Sequence, residues 1–172
     1  MKIELILGEN PTKKRPYKLS HKYKPIVQKE MKGMLSVDII YPIDKDKWEI
    51  PMVVQPKKRD PRNLRICVDF RGLNKLTLMD SFPTLFANEI INEVTGLKCY
   101  SFTYGFPGYN HVPIAKGDQP NMKFVFEFLS FTYMVMPFGL KNAPIAFSRI
   151  VVKSFQEYIY KTMVVYFNEW MI

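Results

Sequence analysis

The last ten residues of the chain have an apolar–polar–apolar pattern that predicts a β-hairpin. An apolar run over 163–167, rich in β-branched and aromatic residues, precedes the polar pair Asn168 and Glu169, and a second apolar run covers 170–172. A polar pair between two such runs is typical of a two-residue turn that joins two strands. Two interpretations of the pair stay open: an ordinary polar turn on a buried hairpin, or a tip that presents carboxylates to metal ions.

Helical and strand-like patterns alternate along the rest of the chain. Apolar residues at helical spacing predict helices over 25–35, 84–96 and 142–160, with Thr84 and Asn142 as N-caps and Gly96 ending the second helix. This order of elements predicts an α+β fold in which antiparallel strands carry helices on one face. The predicted strands cover 39–43, 52–55, 64–70, 99–104, 109–114, 122–128 and 131–136. The predicted inward face of the third helix comprises Phe147, Ile150, Val151, Phe155, Tyr158 and Ile159.

The composition is that of a globular protein. The 172 residues are 47% hydrophobic and 15% aromatic, which suits one domain or most of a larger one. Cys67 and Cys99 lack the Cys-x-x-Cys spacing of zinc sites, so we expect reduced thiols. Residues 1–7 do not resemble a signal peptide, and no apolar run approaches the roughly 18 residues of a membrane span. We therefore expect an intracellular protein without membrane contact, its compartment unspecified.

Positive charge is concentrated in the first part of the chain. Residues 1–75 hold 18 Lys/Arg and 9 Asp/Glu, whereas residues 76–172 hold 7 of each. A one-sided positive field with interleaved aromatic residues favours nucleic acid as a partner, although a solvated surface that serves solubility stays open. The charge is dense in an arm over 8–18 and a turn over 57–63, and cations at a hairpin tip suit phosphates. The predicted nucleic-acid contacts are Lys13, Lys14, Arg15, Lys57, Arg59 and Arg62.

Four blocks of the sequence carry a family signature when they are taken together and in order. They read WEIPMVVQPKK over 48–58, RICVDFRGLNK over 65–75, VMPFGLKNAP over 135–144 and VVYF over 164–167. The blocks resemble the reverse transcriptases of gypsy-type LTR retrotransposons, those of plant elements in particular. The resemblance implies an RNA-directed DNA polymerase, a nucleotidyltransferase with the α+β fingers and palm of a right-hand polymerase, truncated before the thumb. It divides the chain into a basic arm over 1–24, a fingers-like region over 25–83 and a palm-like region over 84–172.

The resemblance also implies phosphoryl transfer by two Mg²⁺ ions, which the family holds with three Asp carboxylates. The positions that match those three residues are Tyr104, Asn168 and Glu169. A Tyr phenol is neutral at pH 7 and an Asn amide offers a neutral oxygen, so Glu169 alone keeps a carboxylate. We therefore expect a degenerate catalytic site that does not bind the two ions productively and in which Glu169 is the residual metal ligand.

The positions that match the family's nucleotide-binding residues are better preserved. By resemblance, Lys58 and Arg65 grip the triphosphate of an incoming dNTP, and Arg65 has the planar fork that suits phosphate oxygens. Tyr109 packs under the sugar, while Phe138 and Gly139 shape the nucleotide pocket and the template contact. For Tyr109 and Phe138, simple core packing is the alternative. The implied partners are dNTP and an RNA or DNA template–primer.

Three functional hypotheses stay open on the sequence. The first is a catalytically inactive remnant of a retrotransposon polymerase. The second is a basic nucleic-acid-binding module without catalysis, and the third is an active polymerase that forms part of a larger polyprotein. Because the second strand of the terminal hairpin is short, we also expect an unpaired apolar palm edge through which the chain self-associates.

Overall fold

In a computed structural model of the chain, the described residues form one β-sheet of five strands and one of three. The structure describes residues 1–6, 17–44, 49–57, 60–83, 89, 91–92, 95–96, 99, 101–104, 108–127, 129–159, 161–166 and 169–171. The mixture of sheets and helices confirms the predicted α+β class. The strands are β1 (Ile40–Pro42), β2 (Ile50–Lys57), β3 (Asp60–Val68), β4 (Phe102–Tyr104), β5 (Phe124–Phe126), β6 (Leu129–Tyr133), β7 (Val164–Tyr166) and β8 (Glu169–Met171). The helices described over their whole length are α1 (Lys24–Ser36), α2 (Arg71–Leu76) and α3 (Ala143–Ser154), with 3-10 helices at Gly108–His111 and Gln119–Met122.

The five-stranded sheet has the order β1-β6-β5-β2-β3. Its neighbouring strands are antiparallel except β2 and β5, which run parallel with Ile50 beside Phe124. Strands β1 to β3 come from the predicted fingers-like region, whereas β5 and β6 come from the predicted palm-like region. A single sheet therefore joins the two regions, and the boundary at residue 83 stays a prediction.

The three-stranded sheet contains the predicted terminal hairpin and has the order β4-β8-β7. The hairpin is confirmed, but the prediction that Asn168 and Glu169 form its turn is wrong. Glu169 is the first residue of β8 and pairs with Tyr166 of β7. Because this pairing leaves two residues between the strands, the connection consists of residues 167–168, which lie outside the described part of the chain.

The observed helices match the predicted ones more closely in position than in length. Helix α1 confirms the prediction over 25–35, and α3 begins directly after Asn142 as predicted but ends at Ser154 rather than near residue 160. The predicted strand over 109–114 is wrong, because Gly108–His111 is a 3-10 helix and the Val112 N–H donates to the Tyr109 carbonyl at 3.1 Å. The short helix α2 was not predicted.

The predicted helix over 84–96 lies largely outside the described residues. Of its described residues, 89, 91 and 92 are helical. Gly96 has a φ of +93°, which suits the predicted end of a helix.

The inward face of α3 differs from the prediction at its carboxyl end. Phe147 and Val151 are buried as predicted, but Ile150, Phe155 and Tyr158 are exposed. The helix ends at Ser154, so the helical spacing that placed the last two residues inward does not continue. The buried residues of α3 are Ala143, Ile145, Phe147, Ser148 and Val151.

The hydrophobic core follows the five-stranded sheet. The Phe124 ring of β5 lies 6.0 Å from the ring of Phe131 and 5.3 Å from that of Tyr133, both on β6. Ile40 of β1 and Leu73 of α2 are fully buried in the same core. Among the described residues, the structure has no helix of the length and apolar character needed to span a membrane.

Candidate functional site

The three-stranded sheet aligns two of the three positions predicted to match the metal-binding carboxylates. Tyr104 of β4 pairs with Glu169 of β8, which pairs on its other side with Tyr166 of β7. Two positions that are 65 residues apart in the sequence thus lie side by side in the backbone register. The third position, Asn168, directly precedes β8 and lies outside the described residues.

The donor set at these positions does not fit a pair of protein-bound Mg²⁺ ions. Mg²⁺ prefers compact anionic oxygens, and two such ions near each other need several carboxylates to offset their charge. Tyr104 offers a phenol, Asn168 an amide and Glu169 one carboxylate. In addition, no group of three or more His, Cys, Asp or Glu residues in the described part of the chain could hold a metal ion.

Tyr109 and Phe138 form an aromatic pair of one buried and one exposed ring. Their ring centroids are 4.7 Å apart, and the Tyr109 ring meets Phe147 of α3 edge-on at 5.3 Å. Tyr109 is only 7% exposed, so core packing describes it well, whereas Phe138 is 57% exposed and is not a core residue. Gly108 makes this packing possible, because a Cβ placed there would lie 2.5 Å from Phe147 Cε2.

Phe138 lies on a turn that requires a glycine. Gly139 has a φ of +98°, in the left-handed region that residues with a Cβ rarely adopt. A Cβ on Gly139 would meet Phe70 at 3.5 Å, an ordinary contact, so the conformation rather than crowding demands glycine. The amide of Asn74, on α2, fixes this turn: its Nδ2 donates to the Gly139 carbonyl at 2.7 Å, and its Oδ1 accepts from the Lys141 N–H at 2.8 Å.

The predicted basic turn over 57–63 is too long, because residue 57 belongs to β2 and residues 60–63 belong to β3, so residues 58–59 connect the two strands. Strands β2 and β3 are antiparallel, with Gln55 opposite Arg65 and Lys57 opposite Asp60. Arg65 is exposed, and Arg62 lies on β3. The remaining predicted phosphate and nucleic-acid contacts, which are Lys13, Lys14, Arg15, Lys58 and Arg59, lie outside the described residues.

Comparison with known proteins identifies the family. Residues 55–172 match the family described as reverse transcriptase (RNA-dependent DNA polymerase). The chain belongs to the reverse transcriptase family. Its relatives include an RNA-directed DNA polymerase homolog from Oenothera berteroana, 32% identical over 110 residues, an alignment that covers 64% of this chain and 78% of the relative. The Pol polyprotein of the transposon gypsy from Drosophila melanogaster is 27% identical over 170 residues, which are 96% of this chain and 16% of the polyprotein. The predicted likeness to gypsy-type reverse transcriptases is thereby confirmed.

Solved structures show the same fold. The native protease–reverse transcriptase of prototype foamy virus superposes with a TM-score of 0.85 at 19% identity, over 99% of this chain and 22% of that protein. A foamy viral protease–reverse transcriptase solved in complex with double-stranded DNA superposes with a TM-score of 0.81 at 22% identity, over 94% of this chain and 28% of that one. This chain therefore has the fold of the reverse transcriptase fingers and palm, and it spans a small part of the length of these larger proteins.

Several side chains of this reverse transcriptase chain that organise the site were missed by the sequence reasoning. Asp69 and Arg71 are joined by two hydrogen bonds of 2.7 Å, and Asn74 fixes the Gly139 turn. All three lie in the block RICVDFRGLNK. The density of polar residues in this one block was a signal that these side chains make specific contacts. Which groups they contact is set by the tertiary structure.

A cleft of about 480 Å³ opens between the first residues of this reverse transcriptase chain and the start of α3. On one wall, Arg149 forms an ion pair with Asp80 and lies 5.0 Å above the centre of the Phe82 ring. Asn142 borders the same cleft, but its side chain does not cap α3 as predicted. Its Nδ2 donates to the Leu78 carbonyl at 2.7 Å and its Oδ1 accepts from the Asp80 N–H at 3.2 Å. The Asn142 amide therefore bonds to a distant part of the chain rather than to the first turn of α3.

Proposed function

We propose that this chain is a catalytically inactive remnant of a retrotransposon RNA-directed DNA polymerase. One observation carries the proposal: the register of β4 and β8 aligns Tyr104 with Glu169, and the three carboxylate positions supply one carboxylate between them. Phosphoryl transfer in polymerases depends on metal ions that neutralise the developing charge and position the reacting oxygens. A site with one carboxylate of three loses most of the affinity that holds those ions.

Primer extension tests this proposal directly. With a primed RNA or DNA template, dNTPs and either Mg²⁺ or Mn²⁺, the intact chain is expected to incorporate no more nucleotide than a heat-denatured sample. Template-dependent incorporation that Glu169→Ala abolishes would overturn the proposal and favour an active polymerase.

Metal binding offers a second measurement that does not depend on turnover. Titration with Mn²⁺, followed by electron paramagnetic resonance, is expected to show no tight ion on the natural chain. The variant that combines Tyr104→Asp, Asn168→Asp and Glu169→Asp restores three carboxylates and is expected to gain bound Mn²⁺. Equal Mn²⁺ binding by the two chains would show that the carboxylate count does not control the site.

A second candidate function is nucleic-acid binding without catalysis, with RNA or DNA template–primer as the partner and dNTP as the small ligand. The uneven charge favours it, since the whole net charge of +9 lies in residues 1–75. The hairpin of β2 and β3 carries three of these cations, Lys57, Arg62 and Arg65. Cations on such a hairpin contact phosphates without reading sequence, so the expected binding is weak and independent of sequence.

The salt dependence of binding tests this second candidate. Each neutralised phosphate contributes a slope of about −0.9 in log affinity against log salt, so reversing the charge of Lys57, Arg62 and Arg65 should flatten the slope by up to about three. Charge reversal of the exposed Lys116, Lys153 and Lys161 is the matched control and should change the slope less. Equal slopes for the two triple variants would show that the hairpin cations are only solvated.

Self-association is the remaining partner proposal. The sheet order β4-β8-β7 supports it, because among the described strands β7 lies at the edge of an apolar hairpin. Unpaired backbone groups on such an edge favour pairing with a second chain.

A further inference from the structure

The cleft beside the start of α3 is bordered by side chains of both charges. Its volume of about 480 Å³ lies in the range of small-molecule sites. Lys2 and Glu4 border it from the first residues of the chain, whereas Asp80 and Arg149 form another wall. None of the residues that line it is among the positions that the family resemblance assigns to catalysis, nucleotides or nucleic acid.

The first residues of the chain present the Lys2 and Glu4 side chains on one face. The segment is extended, because Leu5 pairs with Thr77 in an antiparallel bridge. Alternate side chains of an extended segment point the same way, and the buried Ile3 lies between the exposed Lys2 and Glu4. In the described part of the chain, neither the Lys2 ammonium nor the Glu4 carboxylate has a hydrogen-bond or ion-pair partner. A ligand in the cleft would meet one free cation and one free anion here.

The ion pair on the other wall leaves one acceptor and several donors uncommitted. Asp80 Oδ1 accepts from a terminal nitrogen of Arg149 and from the Phe82 N–H, the latter at 3.0 Å. Asp80 Oδ2 and the remaining N–H groups of Arg149 have no hydrogen-bond partner among the residues that the structure describes. The centre of the Phe82 ring lies 5.0 Å from the guanidinium and supports it. The pair therefore offers a carboxylate oxygen and guanidinium donors side by side.

A lining of this kind favours a ligand that carries both charges. A simple anion would pair with the two basic side chains but would also lie beside the two acids, and a simple cation would meet the reverse arrangement. A zwitterion pairs with both, because its carboxylate accepts from the bases and its ammonium donates to the acids. Leu78, Met79 and Ala146 add apolar surface to the lining, and the first two are exposed. Covering that surface with an apolar group stabilises the bound state.

We propose that this cleft is a binding site for a free α-amino acid with an apolar side chain. The carboxylate of the ligand pairs with Lys2 and Arg149. Its ammonium pairs with Glu4 and with Asp80 Oδ2, and its side chain covers the apolar part of the lining. The site is independent of catalysis and of nucleic-acid binding, because it uses none of the residues proposed for either.

Three probes with the same branched apolar body test which charges the cleft recognises. L-leucine carries both charges, isocaproate lacks the ammonium and isoamylamine lacks the carboxylate. Titration of the isotope-labelled full chain, followed by its backbone amide NMR shifts, gives the dissociation constant of each probe and locates it. The largest shifts are expected in residues 78–81 and at Ala146. Leucine should bind about tenfold tighter than either of the other probes, the effect of one charge-assisted hydrogen bond.

Two conservative variants separate the contributions of the two charges. Lys2→Gln should weaken binding of leucine and isocaproate by about threefold or more and should not weaken that of isoamylamine. Glu4→Gln should weaken binding of leucine and isoamylamine and should not weaken that of isocaproate. The matched controls are Lys29→Gln and Glu30→Gln, at exposed positions on α1 that do not border the cleft, and they should leave all three dissociation constants unchanged. Melting temperatures check that each variant keeps the fold.

Four results would overturn the amino-acid site. Isocaproate binding as tightly as leucine would show that the cleft recognises a carboxylate alone, and isoamylamine binding as tightly would show that it recognises an ammonium alone. Leucine that does not saturate the chain, or that shifts amides away from the cleft, would show that no such site exists there. Equal weakening of leucine by Lys2→Gln and Lys29→Gln would show that net charge, and not the cleft, sets the affinity.

Discussion

Asp69 holds Arg71 through three hydrogen bonds that tie the end of β3 to the start of α2. The Arg71 Nε and one terminal nitrogen each donate to the carboxylate at 2.7 Å, and the Arg71 backbone N–H donates to it at 3.2 Å. The Asp69 side chain is 4% exposed while that of Arg71 is 76% exposed, so a buried acid fixes a guanidinium at the surface. The hydrogen bond and the charge of Asp69 raise the pKa of the Arg71 guanidinium above its ordinary value, which leaves it charged at every accessible pH.

Removing either partner should lower stability, and Asp69→Ala should lower it more than Asp69→Asn. The alanine removes every acceptor of the three bonds, whereas asparagine keeps one oxygen at the start of α2. Urea midpoints check the order of the variants. Arg71→Ala should lower the midpoint less in the Asp69→Asn background than in the natural chain, because it then no longer takes the guanidinium away from a buried carboxylate charge. Strict additivity would show that the pair is not coupled.

Gly108→Ala should destabilise the fold by about 1–3 kcal/mol, the usual cost of overpacking a core. The added Cβ would overlap the ring of Phe147 and force it away from Tyr109. Chemical denaturation measures the loss. Gly117→Ala is the control, because a Cβ there has nothing within 4 Å and should change stability little.

Gly139→Ala should cost about 1–2 kcal/mol through backbone strain, because its φ of +98° places a Cβ-bearing residue in the left-handed region. Gly96, with a φ of +93°, supplies a matched variant, since Gly96→Ala carries a similar strain away from the Phe138 turn. The two variants should lose similar stability by denaturation. A much larger loss for Gly139→Ala than for Gly96→Ala would show that crowding at the turn, and not backbone strain alone, sets the cost.

Acid should weaken the contact between α1 and the β5–β6 turn. The hydrogen bond and charge of Lys24, 3.0 Å away, hold the pKa of Glu127 below its ordinary value, so the folded chain binds fewer protons there than the unfolded one. The stabilisation is present above the ordinary pKa of 4.5 and disappears as the pH falls through the lowered value. The effect is small because the pair is partly exposed to water. Melting curves below pH 5 should be less acid-sensitive for Glu127→Gln than for the natural chain, and equal acid sensitivity of the two would contradict the contribution of this pair.

The chain should associate at micromolar concentration through the edge of β7, and sedimentation at physiological salt measures this. Val164→Lys places a charge on the edge strand and should suppress association, because charged edges resist pairing with a second chain. Val37→Lys makes the same replacement at an exposed apolar residue that follows α1, away from β7, and should leave association intact. A monodisperse natural chain, or equal effects of the two variants, would contradict association through β7.

The sequence by itself determined the elements whose signal is local. Apolar spacing located α1, the start of α3 and the terminal hairpin, because these patterns repeat within a few residues of the chain. Four blocks in order identified the family, and the resemblance predicts that Tyr104, Asn168 and Glu169 stand at the positions of its three carboxylates. The family and the residue types at its site positions can therefore be predicted without a structure, because both depend only on which residue stands at each position.

Only the tertiary structure decided which groups meet. The amides of Asn74 and Asn142 find partners more than 60 residues away, at Gly139 and Leu78, and no local pattern encodes a pairing at that separation. The same holds for Glu169, which the pattern placed in a turn but which strand pairing with Tyr104 and Tyr166 draws into β8. Tyr109 was predicted in a strand, but it lies in a 3-10 helix and its ring packs on Phe147. Burial and hydrogen bonding across the fold outweigh local preference at these positions, because a buried polar group or ring is stabilised only where its partners lie.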